Sequence, residues 1–552
     1  MKKSGYFKMV FLGLTLLIFF SNNAFAQDKS ILSGKVTFEE SGKPIQNVDV
    51  RFTGMEIGVK TSADGTFSIE KNETDQILIF SHQDCDPKEI NTEGLTGALN
   101  VTLASNVRYN QYGQKVSRQD LSSESREGFI VFESDDKNYK LWLDNRVYLD
   151  GAHYFDNWDA DKTLEENQAE GRIDVPGQLL KLRRMRFAIK ANVGDNWYGE
   201  IDFDFDGNMV DIKDVYLRRY FGEPGAYWGN LKIGQFRMPQ GMQRTTTSRY
   251  LKLIERASVA EFVPNRRIGI GWSSWSKKYM FAAGVHTEET RNQHDQLEGD
   301  ANYFKGSFDE PLPSNEGLMQ GAEPMKGFST RLAYYVFNKP GRLLSLSGGY
   351  SIYTPGLYKH PDKRIKYDPK DETYVSEMEF TVVKVGGVKT ASNYNLDLAV
   401  SYGPWRMSGE YHYNTLAMAN GTDPINFSGF YIQSAYLLTG EHHAWNHREA
   451  EFTQVRGNRK SGAWEIAARY SYINLNDVDR FVTGGQKGQF TVGLTYYTSR
   501  NVKFMLNYSY IDHDKYSNGS GDYAAVINDN PDLGPTDGFD YGFLAWRCEI
   551  DF

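Results

Sequence analysis

The segment Ile201-Asp202-Phe203-Asp204-Phe205-Asp206 alternates apolar and acidic residues without a break. Period-two alternation marks a β-strand with two unlike faces. One face carries Ile201, Phe203 and Phe205; the other carries Asp202, Asp204 and Asp206. In a soluble sandwich the rings would enter a core. In an outer-membrane barrel they would face lipid, and the carboxylates would line a wet lumen.

The neighbouring segments repeat the pattern. In LWLDNRVYLDG, Leu141, Leu143, Val147 and Leu149 oppose Trp142, Asp144, Arg146 and Tyr148. In RRMRFAIKANV, Met185, Phe187, Ile189 and Ala191 oppose Arg184, Arg186 and Lys190. The last residues place Leu544, Trp546, Cys548, Ile550 and Phe552 opposite Arg547, Glu549 and Asp551. The pattern persists for about 400 residues with no amphipathic helices to cover a sheet, which argues against a soluble layered fold. Sixteen strands are expected, near 141–155, 179–193, 197–206, 210–221, 226–236, 266–276, 278–288 and 327–337, then 343–354, 394–403, 405–416, 427–438, 462–475, 488–499, 502–514 and 538–552.

Loop lengths support closure into a barrel. Tight turns fall at Gly194-Asp195, Glu223-Pro224-Gly225, Lys277, Lys339-Pro340-Gly341, Gly403-Pro404 and Ser499-Arg500, each after an even-numbered strand. Long loops fall at 156–178, 237–265, 289–326, 355–393 and 515–537, each after an odd-numbered strand. Bacterial barrels alternate short periplasmic turns with long outer loops in this way. The connections 439–461 (long, on the inner side) and 207–209 (short, on the outer side) depart from the rule, and an apolar run at 380–388 is left inside a loop.

The N-terminus carries Lys2, Lys3 and Lys8, an apolar run from Val10 to Phe20, and Ala24-Phe25-Ala26 before Gln27. A bilayer span needs about 20 apolar residues, so residues 1–26 read as a secretory signal peptide rather than an anchor. Residues 27–105 hold short alternating strands with Ser-Gly-Lys-Pro and Ala-Asp-Gly turns, the pattern of a small β-sandwich. Residues 106–138 are polar and without clear periodicity, and read as a linker; 139–552 form the barrel. The expected fold is therefore all-β: a transmembrane antiparallel barrel of about sixteen strands preceded by a small periplasmic sandwich.

Composition agrees. The mean hydropathy of −0.56 does not exclude a membrane protein, because lipid-facing and lumen-facing residues average out along each strand. Tyr and Phe number 35 and 33, a surplus suited to lipid interfaces. The formal charge of −9 argues against nucleic acid as a partner. Cys85 and Cys548 fall in different predicted domains, so no disulfide is expected, and no spacing suited to a metal or cofactor is present. Without a Gly-x-Ser-x-Gly motif, and with the histidines of Glu441-His442-His443-Ala444-Trp445-Asn446-His447 read as polar loop residues, no enzyme is expected.

Sixteen strands leave an aqueous channel, narrowed where an outer loop folds inward. The connection after strand 5 is the candidate. Between Gly241 and Gly269 it holds Arg244, Arg249, Lys252, Arg256, Arg266 and Arg267 against Glu255 and Glu261. Part of it, SRYLKLIERASVAEF, has helical spacing. Basic side chains at a constriction select anions, and the guanidinium fork matches phosphate oxygens. Inward positions add Arg146, Arg184, Arg186, Lys190, Arg218 and Lys232, with Asp202, Asp204, Asp206 and Asp214 among them. An anion pathway competes here with a general or cation-leaning porin and with a structural or adhesive barrel.

Several segments carry a resemblance. VDIKDVYLRRYFG, LKIGQFRMPQGMQR, LKLIERASVAEFVPNRRIGIGW, YLLTGEHHAWN, GAWEIAARYSYINLND and TVGLTYYTSRNVKFMLNYSYID resemble the phosphate-selective porin O and P family. The resemblance implies a homotrimer of sixteen-stranded barrels in a Gram-negative outer membrane, with an inward third loop and arginine and lysine side chains that pass phosphate or pyrophosphate. GKVTFEESGKPIQNVDVRFTG and TSADGTFSIE resemble the carboxypeptidase-regulatory-like sandwich, which implies a periplasmic module with a possible partner there. About 410 residues are too few for a 22-stranded plugged transporter.

Overall fold

A computed structural model describes residues 30–55, 58–72, 76–95, 97–109, 112, 114–117, 121–126, 128–155, 161–162, 175, 177–205, 210–287, 326–355, 365–376, 378–455, 461–517 and 538–552. Residues 1–26, expected to be a signal peptide, Asp206 with the 207–209 connection, and most of the loops expected at 156–178, 289–326 and 515–537 lie outside the described residues.

The chain divides into two units, Met1–Asp120 and Leu121–Phe552. In the first, Ser30–Phe38 pairs with Thr66–Lys71 and, in parallel, with Ala98–Leu103. A second sheet joins Val59–Lys60, Asp49–Phe52, Ile77–His82 and Cys85–Asn91. Alternate residues of both sheets, including Val36, Val50, Phe67, Phe80 and Val101, build one apolar core. Phe67 meets Phe80 edge-on at 5.4 Å.

The second unit contains a closed antiparallel barrel of sixteen strands. In order they are Tyr139–Phe155, Gln178–Val193, Trp197–Asp204, Asp211–Phe221, Gly229–Arg237, Arg266–Trp275, Tyr279–His286, Lys326–Lys339, Arg342–Thr354, Val388–Tyr402, Trp405–Met418, Ile425–Leu437, Ala463–Asp477, Val482–Tyr497, Val502–His513 and Phe539–Asp551. They are called strands 1 to 16 below. Strand 1 closes on strand 16 from Arg146↔Asp551 to Phe155↔Gly542. Every expected strand is present. Strands 10 and 14 start earlier than expected, at Val388 and Val482. Among the described residues no helix is long and apolar enough to cross a membrane.

The opening segment is strand 3. Asp202 and Asp204 are each 3% exposed, inside the barrel, while Ile201 and Phe205 are 42% and 38% exposed on its outer wall. Register explains the pairing of charges: Arg186 of strand 2 lies opposite Asp204, and Phe187 opposite Phe203. Inner turns are tight after strands 2, 4, 6, 8, 10 and 14. At Gly403-Pro404 two residues join the pair Tyr402↔Trp405. Gly403 has φ 57°, a left-handed value that glycine adopts without strain and that continues the twist of the flanking strands.

Three connections fold differently from the sequence expectation. Within 106–138, Leu121–Arg126 and Phe129–Ser134 form a hairpin that extends the sheet from the lower part of strand 1, with Phe132 opposite Leu141. It takes the edge that strand 16 leaves unpaired below Arg146. The inner connection after strand 12 is a folded hairpin with Trp445–Asn446 paired to Glu451–Phe452. The apolar run near 380–388 is structural too: Val383–Val385 pairs with Ile365–Tyr367, and both are buried beside the inner faces of strands 10 to 14.

The segment with helical spacing, SRYLKLIERASVAEF, is not a helix. It contains single 3-10 turns at Ser248–Tyr250 and Ser258–Phe262 with irregular chain between them. Its carbonyls are taken by wall cations instead of by its own amides. Lys503 donates to the Arg249 carbonyl at 2.8 Å, Arg547 to that of Ile254, and Arg469 to that of Glu255 at 3.0 Å. Leu251, Leu253 and Ile254 are all buried, because the loop is enclosed on several sides and not on one stripe.

A charged cavity beneath the inward loop

A cavity of about 470 Å³ opens between strands 1 to 8, the inward loop 238–265 and the inner hairpin 445–452. Its lining includes ten Arg and Lys side chains and five carboxylates. Alternation on the strands delivers them: each polar residue of the period-two pattern projects inward, so adjacent strands stack cations against acids.

Most of these cations are paired. Arg186 donates to Asp204 at 2.9 Å and lies 3.6 Å from Asp202. Arg266 bonds Asp214 through two nitrogens, at 3.0 and 2.6 Å. Lys190 reaches Asp144 at 2.5 Å and Glu200 at 3.5 Å, and Arg146 lies 3.6 Å from Asp144. Arg331 meets Asp397 at 3.2 Å. Glu200, Asp202 and Asp214 gather within 4.8 Å of one another, but Lys190, Arg186 and Arg266 interleave with them. That arrangement immobilises cations; it leaves no anionic pocket for a metal ion.

Three lining cations have no carboxylate within ion-pair distance among the described residues. Lys232 lies over the rings of Tyr216 and Phe236, at 5.5 and 5.7 Å. Arg448 lies over Trp275 at 5.6 Å. Arg237 donates only to the carbonyls of Thr245 and Thr246, both at 3.1 Å. Arg218 is intermediate: it donates to the hydroxyls of Tyr220 and Tyr216 at 2.8 and 3.2 Å and lies 3.9 Å from Glu449.

The six loop cations named from sequence separate into two groups. Arg249 and Arg266 line the cavity. Arg249 is bonded to Asp144 and lies over Phe129 at 5.7 Å. The others lie elsewhere in the fold. Lys252 is buried against Glu465 at 3.0 Å and the Tyr497 hydroxyl at 3.2 Å. Arg256 donates to the carbonyl of Gln243 at 2.8 Å and to that of Thr246. Burial, with Arg184 and Arg244 near, pushes its pKa down to about 9. Arg244 donates to the Ala260 carbonyl and lies 3.7 Å from Glu261. Arg267 donates to the Arg266 carbonyl at 2.8 Å.

Arg184 serves the same anchoring. A bulge in strand 2 at Arg183 lets consecutive arginines turn inward. Arg183, Arg184 and Arg547 converge on Glu255 at 3.2, 3.1 and 2.8 Å. One carboxylate of the loop is thus held by three guanidiniums of the wall.

The inner hairpin was legible in sequence only as a histidine-rich loop. His443 donates to the Pro404 carbonyl at 3.0 Å, and burial beside Lys252 pushes its pKa down to about 3. Tyr335 donates to the His447 carbonyl at 2.6 Å, and Arg331 to those of Glu449 and Ala450 at 3.3 and 3.1 Å. These bonds hold Glu449 and Glu451 at the cavity. Burial, with Glu449 adjacent, pushes the Glu451 carboxyl up to about 8. Arg237, Arg331 and the Thr247 backbone oppose that shift only in part.

Comparison with known proteins places this geometry in context. The family described as "Phosphate-selective porin O and P" matches residues 148–528. Porin O of Pseudomonas aeruginosa is 24% identical over 421 residues, 72% of this chain and 88% of that protein. Among solved structures, the anion-selective porin from Comamonas acidovorans aligns at 12% identity with a TM-score of 0.41, over 75% of this chain and 100% of its own. The outer membrane channel DcaP of Acinetobacter baumannii aligns at 10% identity and 0.42, over 76% and 99%.

Proposed function

The chain belongs to the phosphate-selective porin O and P family and is an outer-membrane porin, and from that premise we propose that it passes small anions such as phosphate or pyrophosphate by diffusion through the cavity under loop 238–265. One observation carries the reading: Lys232, Arg237 and Arg448 line the cavity without a carboxylate partner among the described residues. Paired cations contribute little net field. Unpaired ones present charge to a passing solute in a site partly shielded from water, where Coulomb attraction is strengthened.

In this reading Arg249 and Arg266 belong to the pathway, with Arg146, Arg186, Lys190, Arg218 and Lys232 along its wall. Lys252, Arg256, Arg244 and Arg184 position the loop. The functional unit is a homotrimer in the outer membrane. Residues 27–105 form a carboxypeptidase-regulatory-like sandwich in the periplasm, available to a partner there, joined to the barrel through 106–138 after removal of 1–26.

The test is the zero-current potential in a planar bilayer under a potassium chloride gradient. The wild type prefers chloride, and added phosphate reduces the chloride current. Lys232→Gln, Arg237→Gln and Arg448→Gln combined move the potential toward the potassium value. A cation-leaning porin is favoured by the five lining carboxylates; potassium preference in the wild type would select it.

A further inference from the structure

The cavity is built for more than a bare inorganic anion. Its volume of about 470 Å³ falls among pockets that enclose organic ligands, roughly 300–1,000 Å³. Five inward aromatic residues line it: Tyr198, Tyr216, Tyr220, Phe236 and, from the loop, Tyr250. Four of them sit on three adjacent strands as a continuous row. Tyr198 and Tyr216 lie 5.9 Å apart, and Tyr216 and Phe236 6.1 Å. The row is rigid: the Tyr198 and Tyr216 hydroxyls both donate to Glu200, at 2.6 and 2.8 Å.

Charge is distributed along this row in a particular way. The Lys232 ammonium and the Arg448 guanidinium make no hydrogen bond or ion pair among the described residues. Arg218 is held among the Tyr198, Tyr216 and Tyr220 rings at 5.3–5.5 Å. Two acids, Glu449 and Glu451, enter the same cavity on the inner hairpin. For inorganic phosphate alone the charged Glu449 opposes binding. A sugar uses both acids, because its hydroxyls require acceptors, its C–H faces lie against aromatic rings, and a charged substituent requires cations not fully neutralised. Lys232 and Arg448 are not neutralised, and Arg218 meets its carboxylate only at 3.9 Å.

We propose that this aromatic row and its cations form a binding site for an anionic monosaccharide, a hexose carrying one phosphate, sulfate or carboxylate group. The inference rests on the anion-pathway reading of the same cavity. The anionic group sits at Lys232, Arg218 and Arg448, the ring lies along Tyr216 and Tyr220, and the hydroxyls donate to Glu449 and Glu451. The solute crosses by exchanging water for these contacts.

The probes are glucose 6-phosphate, glucose and inorganic phosphate, applied to the full-length porin in a planar bilayer with chloride current as readout. Glucose 6-phosphate half-blocks the current at a concentration about tenfold below either of the others, the ratio that one charge-assisted contact provides. Tyr216→Leu removes the advantage over phosphate, and Lys232→Gln removes the advantage over glucose. Phosphate blocking as well as glucose 6-phosphate would overturn the sugar site and leave the anion porin standing. Glucose blocking equally well would overturn the role of the cations. Potassium selectivity in the wild type would overturn both readings. The three wild-type measurements decide the matter even if a variant fails to fold.

Discussion

Many inward side chains on strands 2 to 6 end in guanidinium, ammonium, carboxylate and phenol groups around an open cavity. On the outer halves of strands 10 to 16 many are apolar and packed shut. Val388, Ala391, Leu416, Phe427, Ile473 and Val482 pack on Phe262, Ile365, Tyr367 and Val383 from the two inward loops. Phe539, Tyr541 and Phe543 pack with Tyr154, Val375 and Phe380. Hydrogen bonds fasten this filling: Lys487 donates to the Lys370 carbonyl at 2.6 Å, and the Ser258 amide and the Ser471 hydroxyl donate to Glu372 at 2.8 and 2.6 Å. One half of the lumen is therefore filled as a protein core, and the other holds the open cavity. A barrel lumen is not uniform, and loops decide which sector is filled.

The comparison breaks most severely at Glu255, which fixes the boundary between the halves. Glu255→Gln leaves Arg183, Arg184 and Arg547 without their shared carboxylate. Removing one partner of a buried pair costs about 3–5 kcal/mol, so the urea midpoint of barrel unfolding falls and single-channel conductance becomes noisy as the loop loosens. Phe427→Ala tests the packed half. A buried phenylalanine replaced by alanine costs about 3–5 kcal/mol where the site cannot collapse, and the selectivity stays that of the wild type.

A smaller effect concerns pH. The Glu451 carboxyl, raised to about 8, is mostly neutral at pH 7 and gains its charge as pH rises. Added negative charge in the cavity lowers preference for anions. The zero-current potential therefore drifts toward potassium between about pH 7 and about pH 9, and Glu451→Gln removes that part of the drift. Glu449, Arg237 and Arg331 surround this group and set its midpoint. Lys252, lowered to about 8 by burial, sits against Glu465 outside the cavity lining and contributes little to the field there.

The smallest effect is a null on stability. Lys232→Gln in the open half changes the unfolding free energy by no more than about 0.5 kcal/mol, as for surface positions, while it alters selectivity. A large loss of stability would mean that Lys232 belongs to the packed interior, and the contrast between the halves would fail.

How much was legible beforehand follows the physics of each element. Strand positions were, because lipid on one side and water or protein on the other impose a period of two that IDFDFD displays directly. Turn parity was, because short and long connections alternate along the chain and four of the six short turns carry Gly or Pro. The cavity lining was legible only in part. Lys252 and Arg256 are basic loop residues like Arg249, yet only Arg249 lines the cavity. Nothing in local sequence separates a cation that bonds a distant carboxylate from one that faces solute. The inner hairpin and its two glutamates were missed because short strands in a long connection carry no periodicity.

Alternation and loop length thus determined by themselves the class, the strand count and the inward faces of the strands that carry clear alternation, since these depend chiefly on solvent. Only the tertiary structure decided which half of the lumen is filled, why SRYLKLIERASVAEF is not a helix, and which cations remain without carboxylates. Those outcomes depend on pairs such as Arg547 and Glu255, nearly 300 residues apart, whose meeting is set by barrel closure and not by any local pattern.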